Sequence, residues 1–457
     1  MEPVREMRFP RNHGAYGGQQ HGAGDIQAEG GGRAGHTRDG SEKGACGASD
    51  CDGSNNRRAQ IHFISLTAES LGCRSTDCCP GDLVTARLPL LLAGSLAVVG
   101  VAPVAGLAAP CGDPPCIVAT AGSLASLTGS ASPYGLAQAR GASLAAVHSR
   151  SGRVRVRLTL ADDQSSERMG TNQMIAFTGA RVAAVLGPTL SGVAGAADPT
   201  ASAAGVPVLA VTNTTLDLAE AGPTVWRVTL SEDRLIPASV AHAASARGVR
   251  TASLVSVTGD EYSEGAARAF RTAAAQQGIR LLADVSMPAG SSDAASAIAG
   301  AVAPGPKAIF FAARSRDAVN LVVAAQGSTA VKVGGNGYNT PDVLSAAGAA
   351  TDGMIVSASW NPGRRDARSR AFVRAYRAKY RSTPDAFAAQ GYAGVQLLEA
   401  AAAAGRGGSP ERVLAGLRRV RSVPSVLGTM RFRKGVREAT YPATVQVVRA
   451  GRLRVAP

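Results

Sequence analysis

Residues 182–218 read VAAVLGPTLSGVAGAADPTASAAGVPVLAVTNTTLDL, and this stretch decides the predicted fold. It begins with a short apolar run, 182–186, that Gly187 and Pro188 terminate. A second apolar run, 206–211, follows a segment of small residues long enough to form a crossover helix. Because such crossovers join parallel strands, we expect the two runs to lie side by side and parallel in one sheet.

Hydroxyl-bearing residues follow both of these predicted strands. Thr189 and Ser191 come after the first strand, and Thr212 and Thr214 come after the second. In an open parallel sheet, ligands bind in the crevice beyond the carboxyl ends of the strands. The two loops are therefore expected to face one crevice that suits a small polar or anionic ligand.

The formal net charge of +15 raises the question of nucleic acid binding. Residues 117–457 contain 38 Lys and Arg against 21 Asp and Glu, and these basic residues are scattered along the chain. No zinc-finger or helix-turn-helix spacing accompanies them. We therefore predict a solvated basic surface and no nucleic acid partner.

The cysteines and the first hundred residues point to export. All seven cysteines precede residue 117, and their spacing without nearby histidines does not predict a metal site or any cofactor. Residues 1–83 lack apolar periodicity, which is typical of a disordered segment or a wrongly assigned start. Residues 84–110 then have the layout of a secretory signal peptide, with Arg87 before a long apolar run.

This layout favours a true start near Val84 and a periplasmic or extracellular location. A genuine tail followed by a membrane anchor is the alternative. Cys111 leaves two further possibilities open, namely a lipid anchor and a disulfide with Cys116.

From Ile117 onward, runs of strand length alternate with helical patterns, and the alternation restarts after Arg227. This order predicts an α/β fold of two lobes with parallel sheets flanked by helices. The helix after the restart is expected to begin at Pro237, and the last two strands, 430–432 and 443–448, are expected to be joined through Gly435. The Asp162–Asp163 pair fits either an acid/base site or a turn.

A series of motifs carries a resemblance to a known family. LTGSASPYG (127–135), LADDQSS (160–166), AAVLGPTLSG (183–192), GVPVLAVTNTT (205–215) and DEYSEGAARAF (260–270) occur in this order, and FVRAYRAKY (372–380) extends the series. Their order and spacing resemble the periplasmic substrate-binding proteins of branched-chain amino-acid-type ABC transporters. The resemblance covers residues 117–455.

The resemblance implies a type I periplasmic binding fold, with two Rossmann-like lobes joined by three hinge crossovers near Val228, Ser359 and Ser425. Lobe 1 would comprise residues 117–228 and 360–425. Lobe 2 would comprise residues 229–359 and 426–457. The ligand would bind in the cleft between the lobes.

The resemblance also implies a set of ligand-binding residues. Ser191 and Thr214, with the backbone carbonyl of Thr212, would hold a ligand carboxylate and ammonium. Tyr134 and Tyr262 would close over the ligand. Asn336 stands where the family often has an acidic residue, and an amide cannot neutralise an ammonium group. Arg314 would favour a carboxylate if it faces the cleft.

The function implied is that of a solute-binding protein, not an enzyme, which delivers an amino acid or a small carboxylate or amide to ABC permease subunits as a monomer. A ligand sensor that signals to a partner is the alternative. A secreted hydrolase is disfavoured, because Ser191 has no evident base. Ser191 also fits a helix N-cap, and Thr214 fits a turn.

Overall fold

The computed structural model describes residues 116–149, 152–214 and 221–457. The predictions about residues 1–83, the signal peptide at 84–110 and Cys111 fall outside these ranges and stay predictions. Within the described ranges, no helix is both long and apolar enough to span a bilayer.

The described residues form fourteen strands, which alternate with helices over most of the chain. The strands are β1 (Ile117–Ala125), β2 (Val154–Asp162), β3 (Val185–Leu186), β4 (Val208–Ala210), β5 (Val225–Arg227), β6 (Thr251–Thr258), β7 (Arg280–Pro288), β8 (Ala308–Ala312), β9 (Val331–Gly334), β10 (Ile355–Ala358), β11 (Ser422–Ser425), β12 (Gly428–Arg431), β13 (Thr444–Arg449) and β14 (Arg452–Val455).

Eleven α-helices are found in the same ranges, together with short 3₁₀ turns at Asn336–Tyr338 and Gly348–Thr351. The helices are α1 (Ser132–His148), α2 (Glu167–Gly179), α3 (Ser191–Ala203), α4 (Glu232–Ala246), α5 (Glu261–Gln276), α6 (Ala294–Val302), α7 (Ser315–Ala324), α8 (Pro341–Ala347), α9 (Ala367–Tyr380), α10 (Ala386–Gly405) and α11 (Pro410–Arg419).

Two main sheets form the centres of the two lobes. The first has the order β2-β1-β3-β4-β5 and is parallel throughout. The second has the order β14-β13-β10-β9-β8-β6-β7, in which β13 runs antiparallel to both of its neighbours, β10 and β14. The predicted α/β fold with helix-flanked parallel sheets is confirmed, and so is the parallel pairing of β3 with β4.

Side-chain caps fix the start of several helices. Such a cap satisfies a backbone N–H that has no partner inside the helix. The capping residues include Ser166, Asp260, Asp366, Asp385 and Ser409. The carboxylate of Asp162 accepts from the backbone N–H of Gln164, and that of Asp163 accepts from the backbone N–H of Ser165, so the Asp162–Asp163 pair serves a turn.

One prediction about the elements is wrong. Helix α4 begins at Glu232 and not at Pro237, which lies inside it. The acidic first turn favours an early start because it faces the positive end of the helix dipole. The strands predicted at 430–432 and 443–448 are found as β12 and β13, and the segment with Gly435 joins them. They lie in different sheets, since β12 pairs with β11, whereas β13 pairs with β10 and β14.

The chain passes between the two sheets three times, and these crossovers contact one another. The backbone N–H of Arg227 donates to the Arg437 carbonyl oxygen at 2.8 Å. The hydroxyls of Thr229 and Ser359 lie 3.2 Å apart, which joins the first crossover to the second. The lobe boundaries predicted near these crossovers stay a prediction.

Candidate functional site

A cavity of about 30 Å³ lies between the two lobes. Loops at the carboxyl ends of β3 and β4 line one side, and loops that follow β6, β8 and β9 line the other. Its lining residues are Tyr134, Thr189, Leu190, Ser191, Thr212, Asn213, Thr214, Tyr262, Arg314, Asn336, Gly337 and Phe387. The structure thus brings all the predicted site residues to one cavity, while their contact with a ligand stays a prediction.

Ser191 stands at the start of α3 and has an unused hydroxyl. The residue before it, Leu190, is the N-cap, and no side chain caps this helix, so the interpretation of Ser191 as a cap is wrong. Ser191 is 2% exposed, and within the described part of the chain its Oγ makes no hydrogen bond. A buried free hydroxyl at the positive end of a helix suits a carboxylate.

Gln138 on α1 organises both hydroxyl loops. Its side-chain Oε1 accepts from the hydroxyls of Thr189 at 2.9 Å and Thr212 at 2.7 Å. Its Nε2 donates to the Leu124 carbonyl oxygen at 3.0 Å. Gln138 is fully buried. Because a buried amide must be hydrogen-bonded, it holds the two loops in one arrangement.

Thr214 is joined to Glu232 by two hydrogen bonds. The Thr214 hydroxyl donates to Glu232 Oε1 at 2.9 Å, and the Glu232 backbone N–H donates to the Thr214 carbonyl oxygen at 3.1 Å. The side chain of Thr214 therefore does not stabilise its own turn, and that interpretation is wrong. Burial raises the pKa of Glu232 to about 7, and the Thr214 hydroxyl opposes the rise most strongly.

The two predicted tyrosines meet at Gly337. The Tyr134 hydroxyl donates to the Gly337 carbonyl oxygen at 2.9 Å and accepts from the Ser315 N–H at 2.8 Å. The Tyr262 hydroxyl accepts from the Gly337 N–H at 2.7 Å. Since Tyr134 is on α1 and Gly337 follows β9, the Tyr134 hydroxyl connects the two lobes directly.

The two remaining predicted residues, Arg314 and Asn336, already interact with neighbouring side chains. Arg314 lines the cavity, but its guanidinium forms an ion pair with Asp260 at 2.6 Å. This pairing offsets the charge that would otherwise favour a ligand carboxylate. Asn336 Oδ1 accepts from Asn339 Nδ2 at 2.9 Å, so the amide oxygen is already used.

Two residues that matter at this site were not predicted from the sequence. Gln138 is recognisable as a polar residue among the alanines and glycines of α1. The predicted helix starts at Pro237 and so leaves Glu232 outside it, although an acidic residue after Ser231 is typical of a first helical turn. In the described ranges, no group of three or more His, Cys, Asp or Glu is arranged to hold a metal ion.

A second and larger cavity of about 720 Å³ lies beside the first, between α8, the loop before α10 and strand β14. A chain of buried amides leads from one cavity to the other. Asn339 donates to Asn336 at 2.9 Å, Gln446 donates to Asn339 at 2.7 Å, and Asn361 donates to Gln446. This series of hydrogen bonds fixes the side chain of Asn336.

Solved structures with the same fold are numerous, although no curated protein sequence matches the chain. The leucine-binding protein LivK of Thermotoga maritima is 20% identical with a TM-score of 0.70, over 74% of this chain and 98% of its own. LivJ of Streptococcus pneumoniae, in complex with isoleucine, is 23% identical with a TM-score of 0.68, over 74% and 98%. A solute-binding protein of Rhodopseudomonas palustris, in complex with 3,4-dihydroxybenzoic acid, is 18% identical with a TM-score of 0.67, over 74% and 95%.

These structures confirm the type I binding fold that the motifs predicted. A family model described as a periplasmic binding protein matches residues 119–452, which covers nearly all of the described chain. The chain therefore belongs to the periplasmic binding protein family.

Proposed function

We propose that this protein captures a small amino acid, or a related carboxylate or amide, outside the cytoplasm and delivers it to the permease of an ABC transporter. The observation that carries the proposal is the Ser191 hydroxyl, which is buried at the N-terminus of α3 on the wall of the interlobe cavity and has no partner among the described residues. Such a position favours a ligand carboxylate.

The similar proteins support this choice of chemistry. LivK is named for leucine, LivJ holds isoleucine, and the Rhodopseudomonas palustris protein holds 3,4-dihydroxybenzoic acid. These molecules differ in shape and share a carboxyl group. A carboxylate is therefore the part of the ligand that we assign to Ser191, with Tyr134 and Tyr262 closing over the rest.

The other components of the proposal follow from this role. The protein would be exported by the predicted signal peptide at 84–110 and would act as a monomer. A lipid anchor at Cys111 is compatible with the same function. A sensor that signals to another partner is the alternative, and adjacent genes for permease and ATPase subunits would argue against it. A hydrolase is disfavoured, because the described cavity lining contains no histidine to act as a base for Ser191.

Replacing Ser191 and Thr214 together by alanine is expected to abolish ligand binding while the unliganded protein stays folded. A ligand at a hundred times its dissociation constant stabilises a protein by about 2.7 kcal/mol, which a thermal shift detects. A thermal-shift screen would test the wild-type protein against amino acids, amides and small aromatic or aliphatic carboxylates. Each compound that raises its unfolding temperature would then be tested with the double variant.

Ser123→Ala provides the matched control. Ser123 on β1 is also fully buried with an unpartnered Oγ in the described structure, but it does not line the cavity. We expect this variant to keep its ligand-induced shift. Equal affinities in the wild type and the Ser191→Ala/Thr214→Ala variant would refute the site.

A further inference from the structure

Helix α9 and the residues that flank it carry a dense cluster of positive charge. Residues 364–381 contain eight Lys and Arg against a single acid, Asp366, so this segment has a net charge of +7. Residues 117–457 contain 38 Lys and Arg against 21 Asp and Glu, a net charge of +17 over 341 residues. A segment of eighteen residues therefore holds a large share of the excess, and the arginine content of the chain as a whole does not explain it.

The basic side chains lie on the solvent-exposed side of the helix. Arg370, Arg374 and Arg377 follow one another at spacings of four and three residues, so they form a stripe along one face of α9. Phe372 and Tyr376 are 2% and 3% exposed and pack into the core from another face. The exposed basic residues of the segment, here called the α9 patch, are Arg365, Arg368, Arg370, Arg374, Arg377, Lys379 and Arg381.

The charge of the α9 patch is not neutralised within the described ranges. In this segment only Arg364 forms an ion pair, with Asp366 at 3.0 Å, and no member of the patch does so with a described residue. The guanidinium groups of Arg370 and Arg377 donate to a backbone carbonyl and a threonine hydroxyl, which are uncharged. Like charges three or four residues apart repel one another and destabilise a helix. An anionic partner would relieve this repulsion.

The positive surface continues from α9 onto α1. The guanidinium carbon of Arg140, an exposed residue of α1, lies 5.8 Å from the centroid of the Tyr380 ring, and Lys379 Nζ lies 5.4 Å from it. The face of an aromatic ring attracts cations, so Tyr380 holds both charges near one place. Its hydroxyl also donates to the Arg140 carbonyl oxygen at 2.9 Å. Two helices thus present positive charge side by side.

The composition of the α9 patch favours a lipid surface over a protein partner. Protein interfaces depend on aromatic or other large anchors that enter a pocket. The aromatic residues of α9 pack against the core instead, and the exposed residues between the charges include only small ones such as Ala371 and Ala378. Attraction to this surface is therefore electrostatic. Anionic headgroups supply negative charge that moves to meet each side chain, along a helix about 21 Å long.

We propose that the α9 patch binds the anionic headgroups of a lipid bilayer. Arginine suits this role because its planar guanidinium donates paired hydrogen bonds to phosphate oxygens. The inference goes beyond the proposed function, since it concerns neither the ligand nor the interlobe cavity. Contact through α9 would hold the protein against the membrane in which its permease is embedded.

Co-sedimentation with lipid vesicles tests this surface, using purified protein that carries no acyl chain. We expect binding to vesicles of phosphatidylcholine mixed with phosphatidylglycerol, and none to vesicles of phosphatidylcholine alone. Binding should be lost between about 0.1 M and about 1 M salt, because the Debye length falls from about 10 Å to about 3 Å. Arg370→Gln/Arg374→Gln/Arg377→Gln should weaken it by about a hundredfold, since each basic residue near an anionic surface contributes about fivefold.

Arg247→Gln/Arg280→Gln/Arg316→Gln is the matched control. It removes the same charge from three exposed positions outside α9 and should bind the anionic vesicles as the wild type does. Equal losses in the two glutamine variants would overturn the proposal, because net charge rather than the α9 patch would then determine binding. Equal binding of the wild type to both kinds of vesicle would overturn it as well.

Arg370→Lys/Arg374→Lys/Arg377→Lys separates charge from packing. This variant keeps the positive charge and should retain most of the binding, whereas a loss equal to that of the glutamine variant would contradict an electrostatic surface. Polyglutamate serves as a soluble acidic polypeptide. Binding of polyglutamate without binding of anionic vesicles would overturn the lipid assignment and indicate an acidic protein partner. The ligand screen tests the proposed function separately, so either proposal can fail alone.

Discussion

Glu399 is a single residue whose environment sets part of the pH dependence of stability. It lies on α10, where burial raises the pKa of its carboxyl from its ordinary value of 4.5 to about 7. Because the folded state holds the proton more tightly than the unfolded state, the contribution to stability is complete below about pH 4.5 and is lost as the pH rises towards 7.

Glu399→Gln is therefore expected to be more stable than the wild type at pH 8 and equal to it at pH 4. Because the side chain is only partly buried, we expect a gain in stability of about 1 kcal/mol. This is well below the free energy that corresponds to the whole rise in the pKa of Glu399. Urea unfolding at several pH values measures the difference. If the stabilities of the two proteins changed equally with pH, the pKa of Glu399 would have to be the same in the folded and unfolded states.

At the scale of single residues, the sequence predicted which side chains line the cavity, but not which residues they form hydrogen bonds with. Ser191, Thr212 and Thr214 follow strands, and the edge where parallel strands end is fixed by topology. The partners of these residues come from distant positions. Thr214 forms a hydrogen bond with Glu232, and Thr212 forms one with Gln138. No local sequence pattern predicts such long-range contacts.

Helix packing around α10 depends on glycine. A Cβ added at Gly141 on α1 would lie 1.8 Å from the Ala388 carbonyl oxygen, and one at Gly391 on α10 would lie 2.2 Å from the Gln138 carbonyl oxygen. The backbones of the two helices are thus nearly in contact. This approach also positions Gln138, which holds the two loops of the cavity.

Gly141→Ala is expected to destabilise the protein by about 1–3 kcal/mol, because overpacked helices must separate. Gly300→Ala on α6 is the control, since its added Cβ would make only an ordinary contact of 3.7 Å with Val285. That variant should gain up to about 1 kcal/mol from helix propensity. Thermal unfolding compares the two, and equal effects would contradict the close packing of α1 with α10.

Elements with strong periodicity were predictable, and those defined by pairing were not. In helix α11 and strand β8, apolar spacing and flanking residues mark both ends. Strands β11 and β14 carry no such local signal. The strands are short and lie in antiparallel pairs, so long-range contacts rather than local sequence define them.

On the scale of the whole molecule, direct hydrogen bonds join the two lobes across the cavity. The Tyr134 hydroxyl makes two of them, to the Gly337 carbonyl oxygen and the Ser315 N–H. A ligand shifts such an equilibrium only by binding the closed form more tightly than the open form. The alternation of strands and helices predicted the two lobes, but it carries no information on how they close.

Tyr134→Phe is expected to favour the open arrangement, because it removes both of these contacts and keeps the ring. At about 0.5–1.5 kcal/mol for each hydrogen bond, the closed population relative to the open one should fall by about 5- to 150-fold. Tyr338→Phe is the matched control, since the Tyr338 hydroxyl bonds to the Ala318 carbonyl oxygen within lobe 2. Distances between spin labels on α2 and α6 would lengthen in Tyr134→Phe alone; identical distance distributions in both variants would show that Tyr134 does not hold the lobes together.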